Sequence, residues 1–278
     1  MSRASLFIAL IALTACRSNS PNNIAPDAGN DAVTLDLGDA VDLGETADLG
    51  ETDDAATDGG NATCGAPATC IDQSISMLDL FDTASPSAIT EEGTTAGEFT
   101  TLVDATGGGF MPSQSFVYAK FTEAGLTKVA IDDEAAFESS DWDIAFRRYV
   151  VRLNSGVSGP SCVQGARTAP GTTFDALASV PTTLTYHVEE YFTSTCEFVP
   201  DGSGIGAPGS VLSSFWTYPG CVAMSGYVYV VALADGRHVK LQVLSYYSPA
   251  AQASCDTSAT VPMPSGAGSI RVRWAFLD

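Results

Sequence analysis

Few side chains in this 278-residue sequence could do chemistry: two histidines, His187 and His238, and seven cysteines. A three-histidine zinc site needs one imidazole more than the chain has. There is no Gly-x-Ser-x-Gly elbow, no His-Glu-x-x-His and no Walker loop. Gly202-Ser-Gly204-Ile-Gly206 lies between Pro200-Asp201 and Pro208. It lacks the strand-to-helix context of a phosphate cradle and reads as a flexible loop. Glu189, Glu190 and Asp143 supply carboxylates, but their spacing is that of solvated surface acids. The residue inventory argues against an enzyme.

The amino terminus carries a different kind of chemistry. One basic residue, Arg3, precedes an apolar run that ends in Leu13-Thr-Ala-Cys16. The run is too short to span a bilayer and has the layout of a secretory signal. Its ending resembles the lipobox of bacterial lipoproteins, where the cysteine is acylated and the preceding peptide removed. That resemblance implies that Cys16 becomes the first residue of a lipid-anchored, exported chain. Each buried methylene of the anchor contributes about 0.8 kcal/mol. Arg17, not Asp, follows the cysteine, which favours the outer membrane of a Gram-negative host, on its periplasmic face or at the cell surface.

Setting Cys16 aside leaves Cys64, Cys70, Cys162, Cys196, Cys221 and Cys255, an even number and none in a C-x-x-C pair. In an exported chain these read as up to three disulfides. Cys64 and Cys70, close in sequence, are expected to pair with each other. The net charge of −21 is lopsided: residues 18–119 hold 18 of the 33 acids and no Lys or Arg. This balance argues against nucleic acid as a partner. Residues 16–60 repeat Asp-Leu-Gly at a spacing of six, at Asp36, Asp42 and Asp48. So little apolar surface cannot offset chain entropy, and a disordered acidic tether is expected. The acids are too sparse for a calcium loop. The organisation read here is a signal peptide over 1–15, a tether over 16–60 and one domain over 61–278.

That domain must position whatever chemistry the chain performs, and its signals are mostly of period two. Residues 115–121 and 127–131 read as short strands, and 142–153 as one long strand. Residues 226–233 and 238–247 flank Asp235-Gly236, a hairpin signal in which both central residues take positive φ. In the last run Ile270, Val272, Trp274 and Phe276 point one way, Arg271, Arg273 and Ala275 the other, leaving one wet face. Residues 173–179 read as a two-turn helix stopped by Pro181. Trp142, Trp216 and Trp274 read as packing. The expected fold is all-β, a predominantly antiparallel sheet domain with long loops and at most one or two short helices.

Ser140-Asp-Trp-Asp-Ile-Ala-Phe-Arg-Arg-Tyr149, with the run that follows to Pro160, resembles the HmuY-type haem-binding lipoproteins. So do the 226–247 run and the terminal 270–276 strand. The resemblance implies an all-β, lipid-anchored binding protein that captures haem and passes it to an outer-membrane receptor. Axial iron coordination needs an imidazole, thioether, thiolate or phenolate. The candidates are His187, His238 and Met224, with Met111, Met263 and the tyrosines as further donors. Arg147, Arg148 and Arg152 are candidates for pairing with haem propionates. The alternative is a surface structural or protein-interaction lipoprotein that keeps the fold without haem ligation.

Overall fold

The computed structural model describes residues 65–95, 97–109 and 111–278, with Thr94 by its backbone alone. The expected signal peptide and tether, with Cys16 and Cys64, lie outside the described residues. The elements in chain order are α1 (Ile71–Met77), β1 (Ile89–Thr95), β2 (Glu98–Asp104), β3 (Val117–Thr122), β4 (Gly125–Val129), β5 (Ile144–Arg147) and β6 (Val150–Leu153). Then come β7 (Gln164–Arg167), β8 (Trp216–Thr217), β9 (Ala223–Met224), β10 (Val228–Ala232), β11 (His238–Ser245), α2 (Pro249–Ser258) and β12 (Ser269–Leu277). Every strand pairing is antiparallel, and the expected all-β class with two short helices is what the chain adopts.

A six-stranded sheet runs β1-β2-β12-β11-β10-β7, and a four-stranded sheet runs β4-β3-β5-β6. The inward alternates of both sheets meet in one core: Phe99, Val239, Leu241, Val272 and Trp274 from the first, Val117, Phe121, Ile144 and Phe146 from the second. Trp274 is fully buried, stacks on Phe99 and meets Phe121 edge-on. Its indole N–H donates to Thr101 Oγ1 at 2.9 Å. That hydroxyl donates in turn to Glu91, whose carboxylate accepts the Leu126 N–H at 2.7 Å. A polar chain thus ties β1 and β2 to β4 without leaving a buried donor unmatched.

Three local readings are corrected. The expected long strand over 142–153 is a hairpin: β5 and β6 pair with Arg147 opposite Val150, around Arg148-Tyr149. Arg148 has φ 53°, the positive φ that a type II′ turn places at its first central position, where glycine is usual. The Asp235-Gly236 hairpin forms, but only Gly236 takes positive φ, and the loop closes with Leu233 N–H on Arg237 O. Residues 173–179 are turns, not a helix.

The outer face of the larger sheet is also drier than a solvated sheet. Phe174, Leu177, Val180, Leu184 and Tyr186 cover Val228, Val230, Ala275 and Leu277. Lys240 Nζ holds this cover by donating to the Phe174 and Leu177 carbonyls, both at 3.0 Å.

Disulfides join Cys70 to Cys196 and Cys221 to Cys255, and Cys162 is also disulfide-bonded. The expected Cys64–Cys70 pair is therefore overturned, because Cys70 sits at the start of α1 facing a chain segment 126 residues away.

Candidate functional site

The β5–β6 turn is the pivot of the site. Arg147 and Arg148 leave it in opposite directions and each holds a different neighbouring segment. Arg147 is buried; Nη1 donates to Asp79 O at 2.8 Å and Nη2 donates to Leu78 O. These carbonyls follow the last turn of α1, where a cation offsets the negative end of the helix. The guanidinium thereby fixes the end of α1 that carries Met77. Arg148 N–H donates to Ala105 O at 2.6 Å and its Nη1 to Gly109 O at 3.3 Å. These bonds hold the loop that carries Met111. The loop approaches closely enough that a Cβ on Gly107, at φ 64°, would sit 3.1 Å from Arg147 Cγ. Glycine is needed there.

Between these segments lies a cleft of about 320 Å³. Its walls are mostly apolar: Met77, Leu78, Met111, Pro112, Phe116, Tyr149, Val150, Ala207 and Pro208, with Asp79, Arg147 and Arg148 as the charged groups. Met77 is 52% exposed and Met111 72% exposed, two large apolar side chains on one cleft. Behind the cleft Tyr149 packs on Trp216 at 5.3 Å and Tyr246 at 6.3 Å. Burial raises the Tyr149 hydroxyl above the usual tyrosine range against the opposing pull of Arg148, so it stays protonated at neutral pH. The glycine-rich loop after Asp201 forms the far rim. It is ordered by Asp201 Oδ1, which accepts the Ser203 N–H at 2.9 Å and hydroxyl at 2.6 Å.

Beneath the cleft is a buried polar cluster centred on Asp133. Its carboxylate accepts the Phe81 N–H, the Phe116 N–H and the Tyr118 hydroxyl at 2.8 to 3.0 Å. It also lies 3.6 Å from Arg147 and 3.9 Å from Arg152. Arg152 is fully buried and donates to the Tyr118 and Tyr191 hydroxyls. The Phe116 ring is sandwiched, with each guanidinium carbon 4.3 Å from its centroid. Burial leads in raising the Tyr118 pKa well above its ordinary value.

The expected donors fall elsewhere. His187 is exposed on the wall of a separate polar groove of about 750 Å³, where Arg167, Thr185 and Glu190 are its neighbours. His238 and Met224 do not border that groove. His238 opens β11 on the outer face, its ring 5.9 Å from Tyr186. Met224 is half-buried against the main core, and its N–H donates to Asp256 at 2.9 Å. No shared cleft unites the three. Arg152 is corrected as a propionate partner because its guanidinium is sealed in the interior. Arg147 lines the cleft, with its guanidinium on Leu78, Asp79 and Asp133. Of the arginines expected at the site, Arg148 is the half-buried one at the rim. Met77 was missed, because nothing in residues 71–77 marks a ligand.

The carboxylates differ from expectation as well. Asp143 is buried and accepts the Phe121 N–H at 2.9 Å; Glu189 is fully buried. Glu189 accepts the Leu153 N–H at 2.8 Å and the Val211 N–H at 3.0 Å, pinning the His187 segment to β6. Burial outweighs these two bonds and raises its pKa to about 7. Because the folded pKa exceeds the unfolded value of 4.5, the folded chain binds this proton more tightly. Stability is full below about pH 4.5 and is lost as pH rises through 7, by about 3 kcal/mol. Urea unfolding from pH 5 to 8 is expected to show this decline, and Glu189→Gln to flatten it. Equal slopes in parent and variant would remove the assignment.

The family model described as HmuY protein matches residues 112–259, which include the β5–β6 turn and the rim of the cleft. No curated protein matches the chain. Among solved structures, a candidate lipoprotein from Bacteroides fragilis is 19% identical, covering 66% of this chain and 92% of its own, with a TM-score of 0.42. A candidate HmuY-like haem-binding protein from Bacteroides vulgatus is 20% identical, covering 67% and 96%, with a TM-score of 0.41. An apo HmuY analogue from Tannerella forsythia is 15% identical, covering 72% and 99%, with a TM-score of 0.34. With more than half of its length matched by that one model, including the block that folds into the arginine-bearing turn, the chain belongs to the HmuY family.

Proposed function

We propose that this chain is an exported, lipid-anchored binding protein, not an enzyme, that captures haem in the cleft between Met77 and Met111. The observation that carries this reading is the exposure of two thioethers on the walls of one apolar cleft. Thioethers are established axial donors to haem iron. Arg148 stands where a propionate would leave the apolar part of the cleft. Membership of the HmuY family supports the ligand class. Cys16 is the anchor, the acidic segment after it the tether, and an outer-membrane receptor the recipient of haem.

Titration of haemin, ferric and dithionite-reduced, into the purified full chain tests the reading. A Soret shift that saturates at one equivalent is expected. The shift is lost when Met77→Leu and Met111→Leu are combined and kept when His187→Ala and His238→Ala are combined. No shift in the parent chain overturns haem capture. A shift lost only with the histidines moves the ligand to the polar groove around His187.

A further inference from the structure

We infer that Met77 and Met111 form a paired oxidation site through which peroxide switches the cleft off, an inference that rests on the haem reading above. The two thioethers are exposed at the cleft, 52% and 72%, while the half-buried Met224 packs against the core. Hydrogen peroxide reaches such sulfurs directly. One peroxide oxygen forms the S–O bond as the O–O bond breaks; sulfur loses two electrons, and the other oxygen leaves as water. The sulfoxide replaces a soft, polarisable donor and an apolar wall with a polar, chiral group. Both properties that suit the cleft to a metallated, flat apolar ligand are lost in the same step. Reduction of the sulfoxides by methionine sulfoxide reductases returns the thioethers, so the change is reversible.

Met263 supplies the internal control. It is 83% exposed, lies between Pro262 and Pro264, and does not border the cleft. The full chain is treated with limiting hydrogen peroxide, sulfoxides are mapped by peptide mass spectrometry, and haemin is titrated before and after treatment. Sulfoxide at Met77 and Met111 is expected, with haemin affinity lowered about tenfold or more, the equivalent of about 1.4 kcal/mol. Treatment with the two sulfoxide reductases restores it. Met263→Leu leaves the peroxide sensitivity intact. Unchanged affinity despite sulfoxide at both sites overturns the inference and leaves the haem reading standing. So does oxidation confined to Met263. Absence of haemin binding before any peroxide overturns both.

Discussion

Replacing Asp133 with alanine is expected to lower the unfolding free energy by about 3–5 kcal/mol, the cost of stranding buried cations without their partner. Asp133 is fully buried, and both guanidiniums beside it are closed to water. Its carboxylate also satisfies two backbone N–H groups and a tyrosine hydroxyl. Asp133→Asn keeps the shape and one acceptor oxygen but removes the charge, so its loss should lie between parent and alanine. The exposed Arg237–Asp235 pair provides the contrast: Asp235→Ala there should cost less than about 1 kcal/mol. Urea unfolding of the three variants measures the order. A loss under about 1 kcal/mol for Asp133→Ala would show that the two arginines find other partners. Because Arg147 also grips the end of α1, haemin affinity of Asp133→Asn should fall with stability. The cleft and the core share this group.

The sheets were legible because their alternation is local. β12 shows its inward set, Ile270, Val272 and Trp274, in the sequence itself, and the β10–β11 hairpin is announced by Asp235-Gly236. The β5–β6 turn was not legible, because no Gly, Asn or Pro marks it. Arg148 takes its positive φ where Ala105 and Gly109, distant in sequence, accept its N–H and guanidinium. Tertiary bonds set that turn, and alternation alone runs straight through it. α2 was missed, although Ser248-Pro249 places a proline at its first helical position. α1 has no such mark: it buries a single serine and depends on Cys196 and Arg147 at its two ends. The arginines of the site were therefore visible in the sequence while their task was not. They position the thioethers, and Met77 becomes a candidate only once α1 is docked.

Removing the Cys70–Cys196 link is expected to destabilise the chain by about 5 kcal/mol, against about 4 kcal/mol for Cys221–Cys255. The difference follows from loop closure: the first bond spans 126 residues and the second 34. A Cys64–Cys70 bond would have closed only six residues and contributed about 2 kcal/mol by the same relation. Peptide mapping of the unreduced chain separates the two pairings, and Cys196→Ser measures what the bond contributes. With the bond seen here, that single change should lower the melting temperature by about 10 °C or more in a chain of this size. With local pairing, Cys162 would be the partner left for Cys196, and the map would show a Cys162–Cys196 link in place of Cys70–Cys196. The same variant reaches the site, because Cys70 begins the helix whose last residue is Met77. Haemin affinity should therefore drop in Cys196→Ser and remain in Cys255→Ser at temperatures where both chains are folded. Equal affinity in the two would mean that Arg147 alone is enough to hold α1 against the cleft.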